Sequence, residues 1–292
     1  MRGARALALL AVLSGCSDSV TPGSEDAAAS ATPSATAVAG QGFVLPPPRP
    51  FKSNPLELAA EAVNLEPGER VFAVPRRMLE HAKLGSTMVL EPARVEGREG
   101  ADVVVRVRQN IPNPVHPAYV VVPRRGRVGR GTPLLVVYRD ELHHAVARNV
   151  ALDSVVVRIT DAGRKLPDQK LAQDDVAVLS PGELVPGGQA VYHEGKVHRH
   201  VQLVSRGTAR GKTQWLVLGR AGEAQLVEES RLVALPQARH NPRAGDRVWV
   251  AFRGEMVPGE VRAIDAPGLY TVKRDRAGEP LLVGPGELMA PL

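Results

Sequence analysis

Residues 245–291 read GDRVWVAFRGEMVPGEVRAIDAPGLYTVKRDRAGEPLLVGPGELMAP. A glycine opens a short strand-like run, Gly245 to Phe252. Two further runs follow, Val257-Pro258-Gly259 and Tyr270-Thr271-Val272, and the stretch closes on Glu287 to Pro291. Short apolar runs broken by Gly, Pro and Asp are strand signals. The same bookends recur upstream. A closing strand followed by proline occurs at AYVVVP (Pro123), VAVLSP (Pro181), RLVALP (Pro236) and ELMAP (Pro291), at intervals of 58, 55 and 55 residues. A glycine-led opening strand precedes each one: GERVFAV from Gly68, GTPLLVVY from Gly131, GGQAVYH from Gly187 and GDRVWVAF from Gly245. Val-rich runs at 103–105, 119–122, 134–138, 155–157 and 215–218 fill the intervals. The spacing divides the chain into four repeats, 67–124, 130–182, 185–237 and 244–292, each of about 55 residues. A unit of that size suits one small five-stranded barrel, so the expected fold class is all-β.

The last repeat resembles the Tudor and Agenet domains, SH3-like barrels of the Royal family. Its glycine turn and first strand, its Val257-Pro258-Gly259 step, its Tyr270 to Val272 hairpin and its Glu287 to Pro291 ending follow their plan. The second repeat shares it, with Tyr138 closing the first strand, Val155 to Ile159 in the hairpin and Asp175 to Pro181 at the end. The third is looser, and the first, with a long Arg76-to-Thr87 insertion, is loosest. The resemblance implies four tandem small SH3-like barrels. Tudor domains that hold methylated lysine or arginine do so in an aromatic cage, because ring faces attract a weakly hydrated cation. In the last repeat Phe252 stands at the first cage position, Val257 at the second and Arg274 at the third. Trp249 and Tyr270 alternate with core positions on their strands. The second repeat offers Tyr138, His144 and Ile159. Both cages are broken, and Tyr138, Tyr192, Trp249, Phe252 and Tyr270 are read as core or ligand-groove aromatics.

Upstream of the repeats, residues 51–66 contain Asn54 as an N-cap, Pro55 at a first helical position and Glu57 in a capping-box place. This spacing predicts a short helix from 55 to about 64, ended by Pro67-Gly68. Residues 16–50 are rich in Ser, Ala, Thr, Gly and Pro and cannot bury enough apolar surface to offset chain entropy, so they read as a disordered tether. A coil of about 30 such residues reaches roughly 30 Å.

The first 16 residues, MRGARALALLAVLSGC, place Arg2 and Arg5 before an apolar run from Ala6 to Leu13. The run is too short for a membrane-spanning helix and fits a signal peptide over 1–15. Leu13-Ser14-Gly15-Cys16 resembles the lipobox of bacterial lipoproteins. That resemblance implies cleavage before Cys16, palmitate-type acylation there, and a lipid anchor in the cell envelope. Ser17 after the cysteine points to the outer membrane. Cys16 is the single cysteine in the 292 residues, so an intramolecular disulfide is excluded.

The net charge of +6 falls to +4 once residues 1–15, with Arg2 and Arg5, are removed. The charges are interspersed, and no nucleic-acid partner is expected. Arg124, Arg125, Arg127 and Arg130 form a basic connector between the first two repeats, either an anion contact or a solvated link. His193, His198 and His200, like His143-His144, read as exposed strand histidines without a third ligand, so no metal or other cofactor is expected. No catalytic motif is present. The expectation is a non-enzymatic, membrane-anchored scaffold contacting a protein partner, with a peptidoglycan or polysaccharide binder and a structural spacer as alternatives.

Overall fold

Each repeat begins on the glycine that its sequence marks. The chain, in a computed structural model, is described over residues 51–291 apart from 62, 109–110, 162–165 and 277. The signal peptide, Cys16 and the tether lie outside the described residues. Gly68, Gly131, Gly187 and Gly245 have φ of +91°, +84°, +82° and +93°, a region that strains any residue with a Cβ. Each glycine N–H donates, at 2.8 Å, to a carbonyl on the second strand of its own repeat: Val95, Ala147, Leu203 or Val261. The N–H of each of those residues returns a bond to the residue after the glycine, at 2.8–3.0 Å. The second strand bulges just past the same residue in all four repeats. The bulge bends that strand, so its two halves pair with different neighbours.

After a two-residue strand β1 (Ala59–Ala60), the first repeat contains β2 (Arg70–Ala73), helix α1 (Arg76–Leu79), β3 (Glu91–Glu99), β4 (Asp102–Val107), β5 (Asn113–Val115) and β6 (Val120–Val121). The second has β7 (Pro133–Tyr138), β8 (Glu141–Val150), β9 (Ser154–Ile159), β10 (Gln169–Ala172) and β11 (Val176–Val178). The third has β12 (Gln189–Glu194), β13 (Val197–Ala209), β14 (Lys212–Leu218), β15 (Ala224–Glu228) and β16 (Leu232–Leu235). The fourth has β17 (Arg247–Phe252), β18 (Glu255–Ala266), β19 (Leu269–Arg274), β20 (Leu281–Val283) and β21 (Leu288–Met289). Every repeat is the same antiparallel meander whose last strand returns to pair with its first, as in β5-β4-β3-β2-β6. A one-turn 3-10 helix precedes each closing strand, at Pro117–Tyr119, Gln173–Asp175, Glu229–Arg231 and Pro285–Glu287, 56 residues apart each time. The fold is all-β.

Alternate residues of each strand enter a private core. Val248, Val250, Val261, Tyr270, Val272, Val283 and Leu288 form that of the fourth repeat. The remaining apolar residues join one repeat to another, and not in chain order. Val204, Ala209, Leu216, Leu218 and Ala224 of the third repeat share a cluster with Leu56, Leu58, Tyr119 and the first repeat's own core. The insertion in the first repeat runs along the start of β15, with Gly85 N–H on Ala224 O, Ala224 N–H on Ser86 O and Met88 N–H on Gly222 O at 2.8–2.9 Å. Leu135, Ala177 and Leu179 meet Val185 between the second and third repeats. Val191 and Leu235 meet Met256, Met289 and Trp249 between the third and fourth. The second and fourth also touch, since Gly268 packs on Gly131 and Gly284 on Val146 and Thr160.

The helix expected at 55–64 does not form. Pro55 and Leu56 make a turn, Glu57 adopts φ +56°, and the chain then extends into β1. Asn54 caps, but as a turn: its side chain takes the Leu58 N–H at 3.3 Å and donates to Leu58 O at 3.0 Å. The Leu56 N–H donates to the Tyr119 hydroxyl at 3.0 Å. Burial of Leu56 and Leu58 against the first and third repeats overrides local helix propensity. β1 pairs with β13 opposite Gly207 and Thr208. A Cβ on Gly207 would lie 2.5 Å from the Ala59 carbonyl oxygen. Gly207→Val is therefore expected to lift β1 off its edge and cost about 1–3 kcal/mol. Limited proteolysis should then cut between residues 51 and 61 faster than in the parent.

Candidate functional site

A group of polar side chains lies where the second, third and fourth repeats meet. His143 and His144 come from β8 and Asp161 from just past β9. His200 comes from β13, and Glu287 from the last 3-10 turn. Asp161 gathers the pair: His143 Nδ1 lies 2.9 Å from Oδ1, His144 Nδ1 3.0 Å from Oδ2, and the His144 N–H donates to Oδ2 at 2.7 Å. Burial opposes ionisation of Asp161, but these hydrogen bonds outweigh it and hold its pKa well below the ordinary carboxylate range. The same hydrogen bond raises His143 against the opposing effect of burial.

His144 and His200 are not exposed strand histidines, contrary to the sequence expectation. His144 is 7% exposed, and its Nε2 lies 3.0 Å from Gly187 O. Gly187 also seats its neighbours closely: a Cβ there would fall 2.3 Å from Leu135 Cδ1 and 3.2 Å from Val121 Cγ1. His200 Nε2 lies 3.1 Å from Gly286 O, and burial pushes its pKa down to about 4. Glu287 accepts the Gly284 N–H at 2.8 Å, and burial pushes its carboxyl up to about 7. The carbonyls that cover His144 and His200 belong to other repeats, 43 and 86 residues away in sequence.

A His–Asp pair is the orienting half of a nucleophilic triad. Here the imidazole nitrogen that would take a proton from a nucleophile faces a backbone carbonyl instead. Thr160, the neighbouring hydroxyl, is directed to His144 O and to Glu287. The adjoining cavity, lined in part by His144, Thr160, Gln189 and Gly286, holds about 10 Å³. That is room for about one water molecule. Among the described residues the cluster joins three repeats.

The five aromatics separate. Tyr192 and Tyr270, 3% and 5% exposed, belong to the cores of the third and fourth repeats and leave the groove set. Strand alternation points them inward, where burial raises both phenols. Tyr138 is half-buried against His143, with the Arg139 guanidinium 5.2 Å from its ring centre. Phe252 is covered by the chain's own cation: the Arg274 guanidinium carbon lies 3.7 Å from the ring centroid and Arg253 5.2 Å. The ring therefore already carries a cation from its own chain. Arg274→Ala is expected to cost about 0.5–1 kcal/mol in chemical denaturation.

Trp249 is half-buried in the seam between the third and fourth repeats. His198 packs edge-on to it at 5.0 Å, and His193 lies 4.7 Å beyond His198, at the exposed β12–β13 hairpin tip. Of the basic connector, Arg124 pairs with Glu183 at 3.3 Å and Arg130 donates to Arg148 O at 3.1 Å. Arg125 and Arg127 are exposed, with no ion pair among the described residues.

Among the described residues, no three His, Cys, Asp or Glu side chains converge as a metal site. No described helix is long and apolar enough to cross a membrane. Neither protein-family models nor curated proteins match this chain in sequence.

Proposed function

We propose that the chain is a lipid-anchored, non-enzymatic binding module of the bacterial envelope, in which four SH3-like barrels of the Tudor/Agenet plan contact a protein partner. The signal peptide, Cys16 and the tether carry the envelope part of this reading. The shared meander, bulge and 3-10 turn support the barrel assignment.

One observation carries the partner. On β13 the strand edge past the bulge already receives an added segment, β1, at Gly207 and Thr208. At the equivalent stretch of β18, Arg262 to Asp265 are exposed, Ile264 is 49% exposed, and no strand pairs with that edge among the described residues. An unpaired edge beside an apolar side chain fits an extended peptide added as a strand. The spacer alternative fits less well, because repeats that fold back on one another shorten the reach.

Two comparisons test the reading. Cys16→Ala should move the full chain from the membrane to the soluble fraction of cells. Unchanged membrane association would contradict the anchor. Crosslinking and affinity purification from membranes should recover a defined protein with the parent chain and lose it with Ile264→Lys. Retention on purified sacculi, with no protein lost on that substitution, would transfer the reading to a wall binder.

A further inference from the structure

The hairpin β12–β13 turns at Gly195 and Lys196 and sets His193 directly opposite His198. Residues directly opposite on one face of an antiparallel pair have side chains close enough to act together. The two imidazoles approach through like atoms, Nδ1 to Nδ1 at 3.4 Å. Imidazole nitrogens bind a tetrahedral zinc at about 2.0–2.1 Å, which places two of them roughly 3.3–3.4 Å apart. The separation across the hairpin matches the bite of a metal ion.

We infer that His193 and His198 form a two-histidine site for a divalent late-transition cation such as Zn²⁺, Ni²⁺ or Cu²⁺. Imidazole is a ligand these ions favour over the hard cations. His193 is exposed, so its ring turns freely to bring its lone pair onto a shared ion. His198 is held by Trp249 on its other side.

The nearest cations are Arg199, the exposed Lys196 of the turn, and Arg231. Arg199 is matched by Glu194 at 2.9 Å and Glu255 at 2.8 Å. Arg231 Nη2 donates to the His193 backbone O at 2.8 Å, and its guanidinium lies over Tyr192. Glu194 is engaged by Arg199, so the protein supplies two ligands and leaves the remaining positions to water or to a donor from another molecule. The site stands apart from the β18 edge and does not rest on the proposed partner.

The test uses the full chain with Cys16→Ala, which removes its only thiol. Titration with CuCl₂ is followed by tryptophan fluorescence, since Trp249 touches the site and Trp215 is buried in the core of the third repeat. The expected result is a saturable quench with one metal per chain, reversed by the chelator EDTA. It should disappear in Trp249→Phe, and direct calorimetric binding of Zn²⁺ should disappear in His193→Ala and in His198→Ala. His193 is exposed, so its replacement leaves the fold intact, which circular dichroism checks. A quench that never saturates, or Zn²⁺ binding unchanged in His193→Ala, would overturn the site.

Discussion

Trp215→Ala is expected to lower the stability of the described body by about 3–5 kcal/mol, the range for removing a buried large aromatic. Trp215 is 2% exposed and fills the core of the third repeat with Tyr192, Leu203 and Val217. Its Nε1–H donates to Glu229 at 2.9 Å. Glu229 is also held by Arg206, and Arg206 reaches Glu61 beside β1. The loss should not stay within one repeat, because β13 carries partners from elsewhere. β1 pairs with one end of it, and Arg199 at the other end pairs with Glu255 of the fourth repeat. Urea denaturation should show one transition shifted as a whole. Trp215→Phe, which keeps most of the packing, should cost less.

The second large effect is a pair of opposed pH slopes at the inter-repeat junction. Glu287 is raised by burial from 4.5 to about 7, so the folded chain keeps a proton that the unfolded chain has released. Its contribution is full below pH 4.5 and is lost as pH rises through 7. His200 is lowered by burial from 6.5 to about 4, so its contribution is full above pH 6.5 and is lost as pH falls through 4. Each shift corresponds to roughly 3 kcal/mol. Between pH 4.5 and 6.5 the two slopes oppose, and the parent's stability should change little on their account. Glu287→Gln keeps an acceptor for the Gly284 N–H and leaves the His200 slope uncovered. Its stability relative to the parent should fall on acidification from pH 6.5 to 4.5. His200→Gln leaves the Glu287 slope, and its relative stability should rise over the same range. Chemical denaturation at both pH values measures the two differences. Equal slopes for the two variants would show that the buried pair does not titrate this way.

The repeat was legible because its cause is local. Four glycines precede opening strands that begin two residues later, at Arg70, Pro133, Gln189 and Arg247. Val-rich runs between Gly and Pro became β4, β7, β9 and β14 because period and punctuation agreed. The 55–64 helix was misread because Asn54 and Pro55 serve a turn as well as a helix start. A tyrosine 63 residues away decided between them. The cation that Arg274 lays on Phe252 was not legible, because the two residues come from different strands.

The polar junction was not legible. Its covering groups, Gly187 O and Gly286 O, are backbone atoms of other repeats, and no side-chain pattern marks a carbonyl. The packing of the first repeat on the third and of the second on the fourth is likewise non-local. Strand spacing within a repeat carries no information about it.

Four repeats packed out of chain order through shared cores should behave as one cooperative body. Calorimetry of the full chain tests this most directly. A single unfolding transition, with calorimetric and van't Hoff enthalpies equal, is the predicted result. Separate transitions, with the fourth repeat melting while the first and third persist, would contradict it.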